Sequence, residues 1–462
     1  MKNINKIFHL ILFTLLIFVS FGCDVETDFV PEEDFTLNSF IFDGMVLSSN
    51  TVITISGTSV DGATIKLQIS DEYGKVYKNL SSIVSEDGDF NFKFKTPKAS
   101  NTSYILEFSD GNSAHLKKYS NVLFGKLFTF LGDYIPDVDD VFEFSDTEKE
   151  SIKIMELGEH NWKSISESSN YNAINIIIHK IYESYNYPIG VINLSSKSTF
   201  LDYYLSSEVI TKYKTVNKYV DSLSHLDDEK TSYIYNEYLD ELKELHVDSI
   251  FWYQGAMEYA YSFLIDNFIT LYNYTLFNLF NQLSKDFEDC DIYTLQIGYH
   301  NFAFINELRK SQAYPSYHIE NVNLIPIFDC YVEDGDSVIL DSGKYIERIS
   351  SLIIDKTLRN KSFDEASSLS NIIVNNNTIK LSFSTKDSII DVKSIYELVV
   401  KDEDENEIDY SFVIENNTII LTIVKDVTMI HISYGQNLDN YKCNLFTTDG
   451  LPVIPFDITI TL

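Results

Sequence analysis

Three textures of apolar and polar positions follow one another along the chain. From about Asn38 to Ser120 apolar residues fall at every second position, in short runs separated by Asp-Gly pairs. Ile65, Leu67 and Ile69 follow Asp61-Gly62; Phe90, Phe92 and Phe94 follow Asp87-Gly88; Tyr104, Leu106 and Phe108 precede Asp110-Gly111. Alternation with period two buries one face of a strand and Asp-Gly supplies the turns, so this stretch predicts a small β-sandwich. From Val122 to about Leu358, continuous apolar runs alternate with segments of helical period. Val122-Leu123-Phe124, Pro188 to Asn193 and Ser249 to Tyr253 read as strands buried on both faces, while Leu264, Phe268, Leu271, Leu279 and Leu283 share one helical face. That alternation predicts an α/β layer on a parallel sheet. Lys212 to Leu245, charged and Tyr-rich, predicts a solvated helical insertion ahead of the third strand. After a polar link at Asn360 to Asn377 the period of two returns in Ile379, Leu381 and Phe383, in Ile419, Leu421 and Ile423, and in Ile430, Ile432 and Tyr434. The expected units are therefore 38–121, 122–360 and 361–462.

The first 22 residues have a different pattern. Lys2 and Lys6 precede a mostly apolar run, Ile7 to Val19, of 13 residues, followed by Ser20, Phe21, Gly22 and Cys23. A spanning helix needs ~20 apolar residues, so the run suits a cleaved export signal better than a membrane span. The segment resembles a bacterial lipoprotein signal peptide with Cys23 as the lipidated residue. Asp24 to Asp34 carries six acids and no base, an extended, solvated tether that is expected to occupy 23–37.

Composition narrows the partners. The 462 residues carry 35 Lys plus Arg against 69 Asp plus Glu, a formal charge of −34, and Arg309, Arg348 and Arg359 are the sole arginines. A nucleic-acid footprint needs a basic face, which this balance opposes. Hydrophobic residues make up 44%, with 31 Tyr and 32 Phe, enough side-chain volume for several cores. Beyond Cys23 remain Cys290, Cys330 and Cys443, an odd number at irregular spacing that predicts buried thiols rather than a disulfide or zinc framework. The acidic runs Asp137 to Asp140 and Asp402 to Glu407 do not follow an EF-hand pattern, so neither a metal nor another cofactor is expected.

Several segments, in order, resemble the bacterial sialate O-acetylesterase family, whose core is an SGNH-type hydrolase domain. They are Phe42-Asp43-Gly44-Met45-Val46-Leu47, Val122-Leu123-Phe124-Gly125, Pro188-Ile189-Gly190-Val191-Ile192-Asn193, Phe251-Trp252-Tyr253-Gln254-Gly255 and Leu308-Arg309-Lys310-Ser311-Gln312. Tyr434-Gly435, Asn444-Leu445-Phe446 and Asp449 to Phe456 complete the series. The resemblance implies an α/β fold: an SGNH-hydrolase-like three-layer domain with a parallel sheet, flanked by N-terminal and C-terminal β-sandwich-like domains.

The catalytic positions of the family fall on other residue types. Its Gly-Gln-Ser-Asn lands on Gly132-Asp133-Tyr134-Ile135, which puts Tyr134 in the serine's place. Its Gly-Gly-Thr lands on Lys197-Ser198-Thr199, and the asparagine that binds the oxyanion becomes Glu258, whose negative charge would repel an alkoxide. With Lys344 and Arg348 as anchors, the histidine falls on Leu340 and the orienting carboxylate on Val338 or Ser337; no histidine occurs between His318 and His431. The resemblance thus implies a pseudoenzyme with no catalytic set intact. Its candidate cleft is Gly132, Asp133, Trp252, Tyr253, Gln254, Gly255 and Arg309, with Trp252 and Tyr253 either sugar platforms or core.

The expectation is a lipid-anchored outer-membrane protein of the bacterial envelope, with a glycan ligand or an outer-membrane protein partner. The alternative is an active carbohydrate (sialate) O-acetylesterase using displaced residues, such as His160, His179 or His318 with Ser195, Ser196 or Ser198.

Overall fold

In the computed structural model the described residues are 35–461, apart from 39, 113–114, 139–141, 168–171, 198, 228–229, 301–303, 362–365, 386–387, 425–426 and 438. The leader, Cys23 and most of the tether lie outside them, as does Ser198. The tether ends earlier than expected: Phe35 is 1% exposed and Thr36–Leu37 already pairs with Val52–Thr58.

The alternating segment forms two facing sheets. One holds Thr36–Leu37, Val52–Thr58 and Asp89–Lys95; the other holds Val76–Ile83, Thr64–Asp71 and Ser100–Ser109 and continues into Lys117–Gly132. The predicted inward positions Ile65, Leu67, Ile69, Phe90, Phe92, Phe94, Leu106 and Phe108 are all buried. Phe92 packs against Phe108 across the sandwich, rings tilted at 58° with centroids 5.9 Å apart.

Lys117–Gly132, 16 residues long, is one continuous strand that serves both the sandwich and the α/β layer. Its first half pairs antiparallel with Ser100–Ser109. Its second half pairs parallel with Ile189–Asn193 on one side and Ser249–Tyr253 on the other. The expected boundary at 121/122 therefore falls inside a strand, at Asn121, whose φ of 55° kinks the backbone there. The parallel sheet has the order Ile152–Glu156, Ile189–Asn193, Lys117–Gly132, Ser249–Tyr253, Asp291–Leu295 and Val322–Ile325, with Lys163–Ser164 antiparallel at its edge.

Alternate residues of the spanning strand feed two cores. Phe128 and Phe130 join Ile177, Ile181, Ile346 and Ile349 from helices Asn172–Tyr185 and Ser342–Ile353. Leu127 and Leu131 join Leu276, Leu279 and Leu283 from helix Phe268–Asp286 on the other face. Leu264 lies in a short 3-10 turn before that helix, because Asn267 at φ 57° breaks the backbone between them. The Lys212 to Leu245 insertion is also less solvated than predicted: Val216, Tyr219, Leu223, Leu239, Leu242 and Leu245 are buried, the charges lining the opposite face.

The C-terminal unit is again two facing sheets. One is Leu369–Asn375, Thr378–Phe383, Thr418–Ile423 and Tyr410–Glu415; the other is Leu398–Asp402, Met429–Tyr434 and Phe456–Thr461. The expected polar link thus contains an edge strand, exposed along most of its length and held by backbone pairing.

One buried ion cluster ties this unit to the α/β layer. The Asp329 carboxylate takes a bidentate pair from Arg348 (3.1 and 2.9 Å) and a third contact from Lys344 (2.8 Å). Arg348 also donates to the carbonyls of Pro326 and Gly450. Burial pushes the Asp329 carboxyl up, and the two cations overcome it and hold it below the usual carboxylate range. Asp329→Asn strands a buried guanidinium and is expected to cost about 3–5 kcal/mol in urea unfolding; an unchanged midpoint and slope would refute the cluster's structural role. Gly125→Ala would put a Cβ 1.8 Å from the Pro188 carbonyl oxygen. Its expected loss is about 3 kcal/mol, checked in the same assay.

Candidate functional site

In a parallel α/β sheet, ligands bind beyond the carboxyl ends of the strands. Here the spanning strand stops at Gly132, at φ 89°, where an added Cβ would lie 2.2 Å from the Tyr253 carbonyl oxygen. Glycine is thus required at this position by the crossing of two strand ends, whatever chemistry follows. The strand end is roofed by the chain itself. The Tyr204 hydroxyl lies 3.0–3.1 Å from Gly132 N, Gly132 O and Leu194 O, accepting from the first and donating toward the carbonyls. Thr199 Oγ1 donates to Gly132 O at 3.0 Å. Tyr204 and Thr199 are both buried.

Two carboxyl groups stand behind this roof. Asp133 follows Gly132, its N–H bonded to Tyr253 O at 2.6 Å, and is 7% exposed. Glu258, on the short helix Ala256–Ala260, is 0% exposed; its Oε1 accepts from Leu201 N at 3.0 Å and from the Tyr219 hydroxyl at 3.3 Å. Among the described residues, Asp133 Oδ2 and Glu258 Oε2 have no hydrogen-bond partner. Burial pushes the Asp133 carboxyl up to about 7, against the pull of the Gly255, Thr199 and Met257 N–H groups. Burial, then the neighbouring Asp133 charge, drives Glu258 well above the carboxylate range. Two unpaired negative charges in a dry interior are prohibitively costly, so the pair keeps a proton at neutral pH, held by Glu258. With Glu258 fully out of solvent, that proton removes one of the two buried negative charges.

The other predicted residues divide sharply. Tyr134 is half-buried and Lys197 exposed, and the Lys197 ammonium lies over the Tyr134 ring, 5.6 Å from its centroid. The positions of the expected nucleophile and of the oxyanion glycine are thus brought together, as a cation–π pair. Leu340 ends the hairpin Tyr331–Asp334/Ser337–Leu340 and packs on the same core cluster as Tyr134. Asp341 beside it caps helix Ser342–Ile353 by accepting from Lys344 N.

Trp252, Tyr253, Gln254 and Arg309 lie in the interior, each at most 5% exposed, and do not face an open cleft. Trp252 packs edge-on against Tyr204 (5.0 Å) and Phe280 (6.0 Å), which makes it core rather than a sugar platform. Arg309 donates to the carbonyls of Ile297 and Gly298 and to Asn306 Oδ1, and sits over Phe328. Burial lowers its guanidinium to about 10. Gln312 Nε2 donates to Gln254 O, and an added Cβ at Gly255 would meet Gln312 Nε2 at 3.0 Å and Leu308 at 3.1 Å. The Leu-Arg-x-x-Gln segment therefore interlocks with Gln254-Gly255, which accounts physically for the joint presence of both motifs.

His179 is wedged beside Phe142 (4.1 Å) and bonded to Glu148; His318 stacks on Tyr314 (4.0 Å); His160 lies against Phe42 (6.3 Å). None of these contacts involves Ser195, whose hydroxyl donates to Asn193 at 2.6 Å. Sequence reasoning missed Tyr204, Tyr219 and Asp329. Only for Asp329 was there a signal, since Lys344 and Arg348, one helical turn apart, call for a shared acid.

No family model matches the sequence, and no curated protein matches it significantly. Among solved structures, a carbohydrate acetylesterase from Xanthomonas citri superposes with a TM-score of 0.69 at 14% identity, over 92% of this chain and 99% of that one. A family two carbohydrate esterase from Clostridium thermocellum in complex with cellohexaose is 12% identical with a TM-score of 0.31, over 70% of this chain and 98% of that one. A GDSL-like lipase from Parabacteroides merdae is 10% identical with a TM-score of 0.30, over 50% of this chain and 95% of that one. The first match extends the likeness of fold along nearly the whole chain, C-terminal sheets included. The chain has a mixed α/β, esterase-like fold.

The carboxyl pair has a pH signature. Because both folded-state pKa values are raised, the unfolded chain releases these protons first, and their stability contribution is lost as pH rises from ~4 toward 7. Glu258→Gln keeps an acceptor for Leu201 N, turns an N–H toward Asp133 and is expected to raise stability at pH 8 by about 2 kcal/mol, with little gain at pH 4.5. Thermal melts at the two pH values check this; equal effects at both would exclude a protonated pair.

Proposed function

We propose that this chain is a lipid-anchored protein of the bacterial cell envelope whose esterase-like fold serves glycan binding or a structural role rather than ester hydrolysis. The observation that carries the reading is the state of the central strand end. A serine hydrolase needs there a hydroxyl beside an imidazole and open donors for the oxyanion. This chain has Tyr134 under Lys197, a roof made by Tyr204 and Thr199, and an acidic pair behind it. A negative or proton-bearing Glu258 gives no stabilisation to a developing alkoxide. The carbohydrate context is supported by the Xanthomonas citri acetylesterase, which shares the fold.

Anchoring through Cys23 and the outer-membrane location follow from the leader pattern and the acidic tether, which would hold the folded body off the bilayer. A protein partner in the same membrane is compatible with this arrangement, and the charge balance argues against nucleic acid. The rival reading, an active carbohydrate O-acetylesterase with displaced residues, is favoured by the same fold likeness and by Ser195 and Ser196 at the end of the Ile189–Asn193 strand.

The purified body from residue 24 is expected to hydrolyse neither p-nitrophenyl acetate nor O-acetylated sialic acid, and a fluorophosphonate probe is expected to label no serine. Labelling that a single serine substitution abolishes would establish the rival. In cells, Cys23→Ala is expected to move the protein from the membrane fraction to the soluble fraction; retention in the membrane would refute the lipid anchor.

A further inference from the structure

We infer that the chain binds a neutral oligosaccharide in a polar groove of about 620 Å³ at the seam between the N-terminal sandwich and the α/β layer. The inference deepens the glycan-binding reading and rests on it. Glu72, Asn101 and Ser103 line the groove from the sandwich, Asn121 from the kink of the spanning strand, and Glu150 and Lys153 from the α/β side. Lys153 is the second residue of strand Ile152–Glu156, so the groove opens where the parallel strands begin. Gly132 and Tyr134 lie where they end. This is a different place from the roofed strand end, whose buried residues leave no surface for a sugar.

The chemistry of the lining selects the ligand. Among the described residues, the side chains of Asn101, Ser103 and Asn121 make no hydrogen bond within the protein. Two amides and a hydroxyl offer donors and acceptors together, which suits the adjacent hydroxyls of a sugar. Trp162 also lines the groove; its indole N–H is tied to Phe40 O at 3.2 Å, which fixes the ring as an apolar wall against which a sugar's C–H face can pack. Three carboxylates, Asp43, Glu72 and Glu150, face one ammonium, Lys153. Burial lowers the Lys153 pKa, while Glu167 and Glu150 oppose that, and its Nζ donates to Lys149 O at 2.9 Å. That balance repels sialate and phosphate and makes the groove too polar for a lipid chain. Its volume lies within the ~300–1,000 Å³ of small-molecule sites.

Trp162 and Trp252 are the two tryptophans of the chain, and Trp252 is core, so a ligand-induced change in intrinsic fluorescence reports on the groove. The detergent-solubilised full chain would be titrated with cellohexaose, chitohexaose, 3′-sialyllactose and oligolysine, by fluorescence and by calorimetry. The expected result is binding of a neutral hexasaccharide, with sialyllactose weaker by about tenfold or more. The exposed double substitution Glu72→Ala, Asn101→Ala should weaken the hexasaccharide by about tenfold, and Lys197→Ala should leave it unchanged. Sugar binding that survives the double substitution and is lost with Lys197→Ala would overturn the groove and leave the glycan-binding reading standing. Binding of no sugar would overturn both, and binding of oligolysine alone would overturn the neutral-ligand inference.

Discussion

The structure depends on one strand doing two jobs. Lys117–Gly132 is hydrogen-bonded along its length, first to the sandwich and then to both neighbours in the parallel sheet. Sliding it by one residue would turn Phe128 and Phe130 out of one core and Leu127 and Leu131 out of the other. Gly125 fixes where the strand crosses the Pro188 carbonyl, and Gly132 fixes where it meets Tyr253. With both ends pinned, the position of Asp133 is set by packing and by its N–H bond to Tyr253 O.

Charge inside the fold obeys a simple scarcity. Of three arginines, Arg309 and Arg348 are buried and fully used. Where Arg348 and Lys344 meet an acid, Asp329 stays ionised although almost no solvent reaches it. Where no base is at hand, Asp133 and Glu258 go the other way and retain a proton. Two buried carboxyl groups of the α/β layer, Asp329 and Glu258, thus have opposite ionisation, decided by the cation beside the first rather than by depth of burial. At the strand end this leaves a closed site with one negative charge fewer than its two carboxyl groups could carry.

The alternation of apolar residues made the β units legible, because period two is a direct consequence of a sheet with one buried face; Phe90, Phe92 and Phe94 needed no tertiary information. The buried strand Ser249–Tyr253 was legible to the residue for a different reason, being apolar on both faces and bounded by polar residues. What stayed hidden depends on contacts distant in sequence. The continuity of Lys117–Gly132 through residue 121 could not be read, since a change of texture there looks like a domain boundary. Nor could the edge strand Leu369–Asn375, whose pairing is all backbone. At the candidate site the sequence singled out Tyr134, Lys197, Glu258 and Leu340, and the structure added what they touch. Tyr134 and Lys197 meet face to face, Trp252 is core, and the roof comes from Tyr204, about seventy residues after Gly132.

That division separates what holds the fold together from what stands at the strand end. Among the segments that carry the resemblance, Gln254-Gly255 is in contact with Leu308 and Gln312, and an added Cβ would come within 1.8 Å of the Pro188 carbonyl oxygen at Gly125 and 2.9 Å of Val46 at Gly190. Their constraint is steric and takes no account of whether a serine follows Gly132. Tyr134 and Lys197 are under no such steric constraint: one is half-buried and the other exposed, and they meet as a cation–π pair. The kink at Asn121 joins two units through one strand, and the charged residues along their seam, Glu72, Glu150 and Lys153, would have to shed water for it to close. The seam therefore stays open, and its polar concavity is a by-product of the same strand that holds the rest together.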